Sequence, residues 1–150
     1  MSDAMRVRTE NFLSSKQKHF VSSMVTLLRT LPKGWDTVRL HDSGDFYSQD
    51  YIEKWEEIIF LNKNKFFYTY TKSLNLNFKK LTEKSNVLLI QSEGGKFDNL
   101  IDYSKPHAKV FSSENDLESA GYVNATNSDL RAIKSIKIGL VIHGTGKNRF

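Results

Sequence analysis

Five apolar runs recur along the chain, beginning at Thr37, Phe66, Val87, Ala108 and Ile136, and each runs out into a cluster of small or polar residues. The starts are roughly 20 to 30 residues apart, the length of a strand, a turn and a helix. That alternation predicts an α/β fold: five mainly parallel strands joined by βα crossovers, in a partial-barrel or open sheet. Val87-Leu88-Leu89-Ile90 contains no polar alternate, as expected of a strand covered on both faces. In a parallel sheet the carboxyl ends of the strands gather on one edge, where ligands bind in open α/β folds.

The elements between the strands follow from period and punctuation. From Thr9 to Thr30, Phe12, Leu13, Phe20, Val21, Met24, Val25, Leu27 and Leu28 recur every three or four residues, which predicts one amphipathic helix ahead of the sheet. Residues 1–8 are expected to be disordered, Pro32 and Gly34 to stop the helix, and Trp35 to act as an anchor. Ser48, followed by Asp50, predicts a helix start, with Tyr51, Ile52, Trp55, Ile58 and Ile59 as the buried face. A short helix is predicted through Leu76, Phe78 and Leu81, and another over Asp116 to Ala120, closed by Gly121. Tyr122 to Lys134 shows no period and is read as a loop with one helical turn at most. Phe66, Phe67, Tyr68 and Tyr70 are assigned to core packing.

A chain of 150 residues has room for one domain, here 1–150. It has no cysteine, which excludes disulfides, thiolate catalysis and cysteine-ligated zinc or iron–sulfur centres. No apolar run is long enough to span a bilayer. The first residues lack the apolar segment of a signal peptide, so a cytoplasmic location is expected. The net charge is +5, but the lysines are spread and interleaved with acids, so nucleic acid is a secondary expectation.

The candidate site is the shared edge of strand ends. It comprises His41, Asp42, Ser43, Gly44 and Asp45 after the first strand; Thr71 and Lys72 after the second; Ser92, Glu93, Gly94 and Gly95 after the third; Ser112 and Glu114 after the fourth; and His143 and Gly144 after the fifth. Gly44 permits a positive φ or close approach of a bound group, and free backbone NH groups opening the next helix suit an anion. Imidazole and carboxylate together exchange protons or bind metals, but no pair has a diagnostic metal-binding spacing and no metal is assigned. Ser43 and Ser92 have no predictable base beside them, so no reaction is assigned. His143-Gly144-Thr145-Gly146-Lys147 lacks the glycine spacing of a Walker loop.

Val38 to Ser48, Phe67 to Ser73, Ser92 to Gly95, Val110 to Ser112 and Ile142 to Thr145, in this order, resemble the phage gene-product-88 domain family. The resemblance spans about residues 9 to 147 and implies a bacteriophage or prophage origin. Members of that family usually carry a cysteine-containing amino-terminal extension, which this sequence lacks. The order of the motifs is also similar to that of the radical S-adenosylmethionine partial barrel. Ser43-Gly44-Asp45 would stand where those enzymes have a Gly-Gly-Glu-Pro type motif, with Asp for Glu and no proline. That resemblance implies a nucleoside-type ligand, S-adenosylmethionine being the first to try, without iron–sulfur radical chemistry. The expectation is therefore a small anionic or nucleoside-type ligand at the strand ends. The alternative is a basic accessory protein binding host protein or nucleic acid through its outer surface. A homodimer is compatible with both, since an open sheet has edges to protect.

Overall fold

A computed structural model describes residues 2–142. Two helices, α1 (Asp3–Ser15) and α2 (Phe20–Thr30), precede β1 (Thr37–Leu40), α3 (Gln49–Phe60), β2 (Phe66–Thr71), α4 (Lys79–Thr82) and β3 (Val87–Ser92). Then come β4 (His107–Phe111), α5 (Glu114–Ser119), β5 (Val123–Asn124), α6 (Asp129–Ala132) and β6 (Lys137–Val141). The strands form one open parallel sheet in the order β1-β2-β3-β4-β6-β5. The α/β class and the parallel, open sheet agree with the strand spacing. The sheet has six strands where five were expected, because β5 lies in the stretch read as loop. Contacts gather into two compact units, one holding the chain up to Thr69 with Leu76–Leu88, the other Tyr70–Asn75 with the chain from Leu89 onward.

In the first unit the predicted helix start at Ser48 is present: the Ser48 hydroxyl accepts from the amide of Tyr51 at 3.2 Å. The five apolar residues assigned to its face, Tyr51, Ile52, Trp55, Ile58 and Ile59, are all buried. Phe20 of α2 packs on Tyr51 and Trp55, its ring centroid 5.9 Å from each. β1 pairs with β2 from Thr37↔Phe66 to Leu40↔Thr69, and Phe67 is fully buried.

Two expectations fail here for identifiable reasons. The helix predicted over Thr9 to Thr30 is two helices, with the first beginning at Asp3 among residues expected to lack order. The break follows from Ser15, which is buried. Its hydroxyl donates to the Phe12 carbonyl at 2.7 Å and shares a 2.8 Å hydrogen bond with the Tyr47 hydroxyl. Its carbonyl accepts from Lys54 Nζ at 3.1 Å. Side-chain bonding back to the helix weakens its last turn, and a cation on the terminal carbonyl favours an end there. Trp35 is no anchor: it is 63% exposed, in a turn where its amide donates to the Pro32 carbonyl at 3.1 Å.

In the second unit β4 pairs in register with β6 from His107↔Lys137 to Phe111↔Val141, and β5 lies on the far side of β6. Gly139 of β6 is what admits α5: a Cβ there would stand 2.3 Å from side-chain carbons of Leu117, which is fully buried. β5 is fixed by the Ala125 amide donating to the Gly139 carbonyl and by the Thr126 hydroxyl accepting from the Val141 amide, both at 2.9 Å. As predicted, Gly121 closes α5, with a φ of 74°.

Candidate functional site

In the first unit the chain leaves β1 through His41, which has a φ of 60° and alone among the described non-glycine residues is left-handed. Histidine is among the residues that tolerate this region, at a cost in strain. The turn brings the imidazole back over the start of α3. Its Nε2 lies 3.1 Å from the Tyr51 hydroxyl, the Phe46 ring meets it edge-on at 4.6 Å, and the Trp55 ring is 6.5 Å away. His41 Nδ1 is buried with no hydrogen-bond partner. Burial lowers the pKa of the ring, against the opposing charge of Asp45. Burial likewise raises that of the Tyr51 phenol.

Asp42, Ser43 and Gly44 form an exposed turn. Gly44 has a φ of 89° and open space where a Cβ would stand, so its glycine serves backbone conformation and not close approach. Asp45 accepts from the Phe46 amide at 2.7 Å, and Arg8 Nε donates to the Ser43 hydroxyl at 3.1 Å.

In the second unit the candidate residues resolve into separate local groups. The Thr71 hydroxyl accepts from the Ser73 amide at 3.1 Å. Lys72 Nζ donates to the Gly94 carbonyl at 3.2 Å, and the Lys72 side chain crosses Gly95 so closely that a Cβ there would stand 3.0 Å from it. The Gly94 and Gly95 amides both donate to Asp98, at 2.9 and 2.8 Å. Those two amides hold the Asp98 carboxyl below the usual carboxylate range, assisted by Lys72. The chain thus supplies its own anion.

Ser92 sits at the end of β3, in register with Ala108. Glu93 pairs with Lys109 Nζ at 3.2 Å, which raises the ammonium pKa. Ser112 and Ser113 both donate to Asp116, at 2.9 and 2.7 Å, and hold its carboxyl low. Glu114 accepts from the Asn124 side-chain amide. His143 and Gly144 lie outside the described residues. Among the described residues, no group of three or more histidine, aspartate or glutamate side chains is arranged to hold a metal ion.

The sequence profile described as Gene product 88 matches residues 2–148. The chain belongs to the gene product 88 family. No curated protein and no solved structure matches it. Membership in this phage family is carried by nearly the whole length, including the His41–Ser48 turn. Among the described residues of this gene product 88 protein, no helix is long and apolar enough to cross a membrane.

Four residues that organise these sites were not singled out as site residues in the sequence: Tyr51, Asp98, Lys109 and Asp116. Asp98 and Asp116 had a usable signal, since each lies three or four residues beyond the groups that donate to it. Tyr51 had one too, as a phenol on a buried helix face that needs a partner. Lys109 had none, because its partner, Glu93, lies just past the end of the neighbouring strand.

Proposed function

We propose that this gene product 88 protein binds a small ligand at the carboxyl end of β1, through the turn from His41 to Asp45. The observation supporting this is His41 itself, a strained residue with a buried ring nitrogen that lacks a partner. Buried polar atoms almost always have partners, and strained backbone clusters at ligand sites. Of the two ligand classes expected from the sequence, the nucleoside type fits this turn better than a simple anion. Asp42 and Asp45 place negative charge beside it, suited to accepting from ribose hydroxyls, and the Phe46, Tyr51 and Trp55 rings, all buried, form the wall behind the imidazole. Nδ1 would complete its hydrogen bonding with a group on the base.

Calorimetric titration with S-adenosylmethionine, nucleosides and nucleotides tests this reading. Heat is expected for at least one nucleoside-type ligand, and His41→Asn is expected to weaken that binding at least about tenfold, the loss of roughly one hydrogen bond to a buried group. Absence of heat across the panel, or unchanged binding by His41→Asn, would overturn it.

A second reading, attachment to nucleic acid or an acidic host protein, is favoured by the surface at the end of α3. Phe60 is 55% exposed and carries Lys63 Nζ at 4.4 Å and Lys84 Nζ at 5.6 Å from its ring centroid. Exposed aromatic surface flanked by ammonium groups suits stacked bases and phosphates. Fluorescence anisotropy with labelled single-stranded DNA is expected to show binding that falls with salt and is weakened by Phe60→Ala. Salt-independent absence of binding removes the nucleic-acid version.

A further inference from the structure

The turns that close α2 and α3 enclose a cleft of about 420 Å³ in the first unit, lined by residues that include Arg29, Lys33, Asp36, Asn62 and Lys65. It lies at the amino ends of β1 and β2: Asp36 and Lys65 immediately precede those strands, and the Asp36 carbonyl accepts from the Phe66 amide at 2.7 Å. It is therefore distinct from the strand ends considered above.

Its charges are not balanced. Lys65 is 6% exposed, and its ammonium donates to one neutral group, the Trp35 carbonyl, at 2.9 Å. Among the described residues no carboxylate lies within 4.0 Å of Lys65, Arg29 or Lys33. An ammonium has three donors and no acceptor, and buried charges are ordinarily paired. The carbonyl ends of α2 and α3 favour nearby cations, which accounts for a basic residue at each helix end. It does not supply a counter-charge for the buried Lys65, nor a reason for three cations against the single carboxylate of Asp36.

We propose that this cleft binds a phosphoryl group, with Lys65 as the contact at its floor and the exposed Arg29 and Lys33 closing over it from the rim. A phosphoryl dianion carries enough acceptor oxygens to satisfy all three, and the planar guanidinium of Arg29 suits two of them at once. Asn62 is buried, and its side-chain NH₂ donates to the Ile58 carbonyl at 2.7 Å, which leaves its oxygen as an acceptor for a protonated phosphate or a ligand hydroxyl.

Thermal unfolding of the full chain in inorganic phosphate, pyrophosphate or a nucleoside diphosphate, against sodium chloride of equal ionic strength, tests the proposal. A ligand that binds only the folded state raises the transition temperature in a saturable way, and this is expected with pyrophosphate and not with chloride. Lys65→Met is expected to abolish that rise. Because a buried substitution can disturb folding, the exposed double variant Arg29→Gln/Lys33→Gln provides an independent arm, with apparent affinity for pyrophosphate expected to fall at least about tenfold. A rise with the nucleoside diphosphate alone that is lost in Lys65→Met and kept in His41→Asn would assign the phosphoryl group to a nucleotide; a rise with inorganic pyrophosphate would show that the phosphoryl group suffices. A response that follows ionic strength alone, or one unchanged in Lys65→Met and in the double variant, would overturn the proposal.

Discussion

His41 carries the two features hardest to account for by packing alone, a left-handed backbone and an unpaired ring nitrogen. Its pKa is lowered by burial, so as the pH falls the unfolded chain takes up the proton before the folded one does. The contribution of His41 to stability is therefore complete above the ordinary histidine value of 6.5 and is lost as the pH falls through the folded value. His41→Asn keeps a residue that tolerates positive φ and removes the titration. The urea midpoint of the native chain is expected to fall more steeply between pH 7 and pH 5 than that of His41→Asn, and parallel profiles would contradict the burial of this ring. Asp98 makes the complementary point: the Gly94 and Gly95 amides at the end of β3 are already taken by a carboxylate of the same chain. In Asp98→Ala, amide hydrogen exchange at Gly94 and Gly95 is expected to accelerate relative to Asp98 in place, as measured by NMR.

Among the elements, the start and buried face of α3 were legible because everything that forms them is local: the Ser48 cap, the Asp50 charge and an apolar face at helical spacing. Replacing Ser48 with alanine is expected to cost about 1 kcal/mol of stability, measured by denaturant unfolding. The break between α1 and α2 was not legible, because the groups that hold Ser15 at the end of α1, Tyr47 and Lys54, come from more than 30 residues away. β5 was missed for the same reason: two residues carry no period, and it is defined by pairing with β6. Gly139 looks like a weak point within a strand, yet it is where Leu117 seats on the sheet. Gly139→Ala is expected to destabilise the fold by about 1–3 kcal/mol through overpacking, again read from the denaturant midpoint; an unchanged midpoint would mean that α5 does not rest there.

At the scale of the whole molecule, the recurrence of strand-like runs was enough to reach an α/β protein with an open parallel sheet, and the blocks at its strand ends were enough to reach the gene product 88 family. The candidate site was legible only as a set of positions. Strand ends are predictable from apolar runs that stop, but the partners of Lys72 and Glu93 depend on loops and neighbouring strands whose geometry has no sequence period. Those partners occupy groups that looked available, which leaves the His41 turn, among the described residues, as the strand end with a buried group still unsatisfied. Its test is a long-range nitrogen–proton NMR spectrum of histidine-labelled protein, recorded while a nucleoside-type ligand is added. The account predicts that the His41 ring-nitrogen signals shift saturably, with those of His19 and His107 unmoved and the response absent from His41→Asn; ring signals of His41 that stay fixed while the protein binds a ligand elsewhere would contradict it.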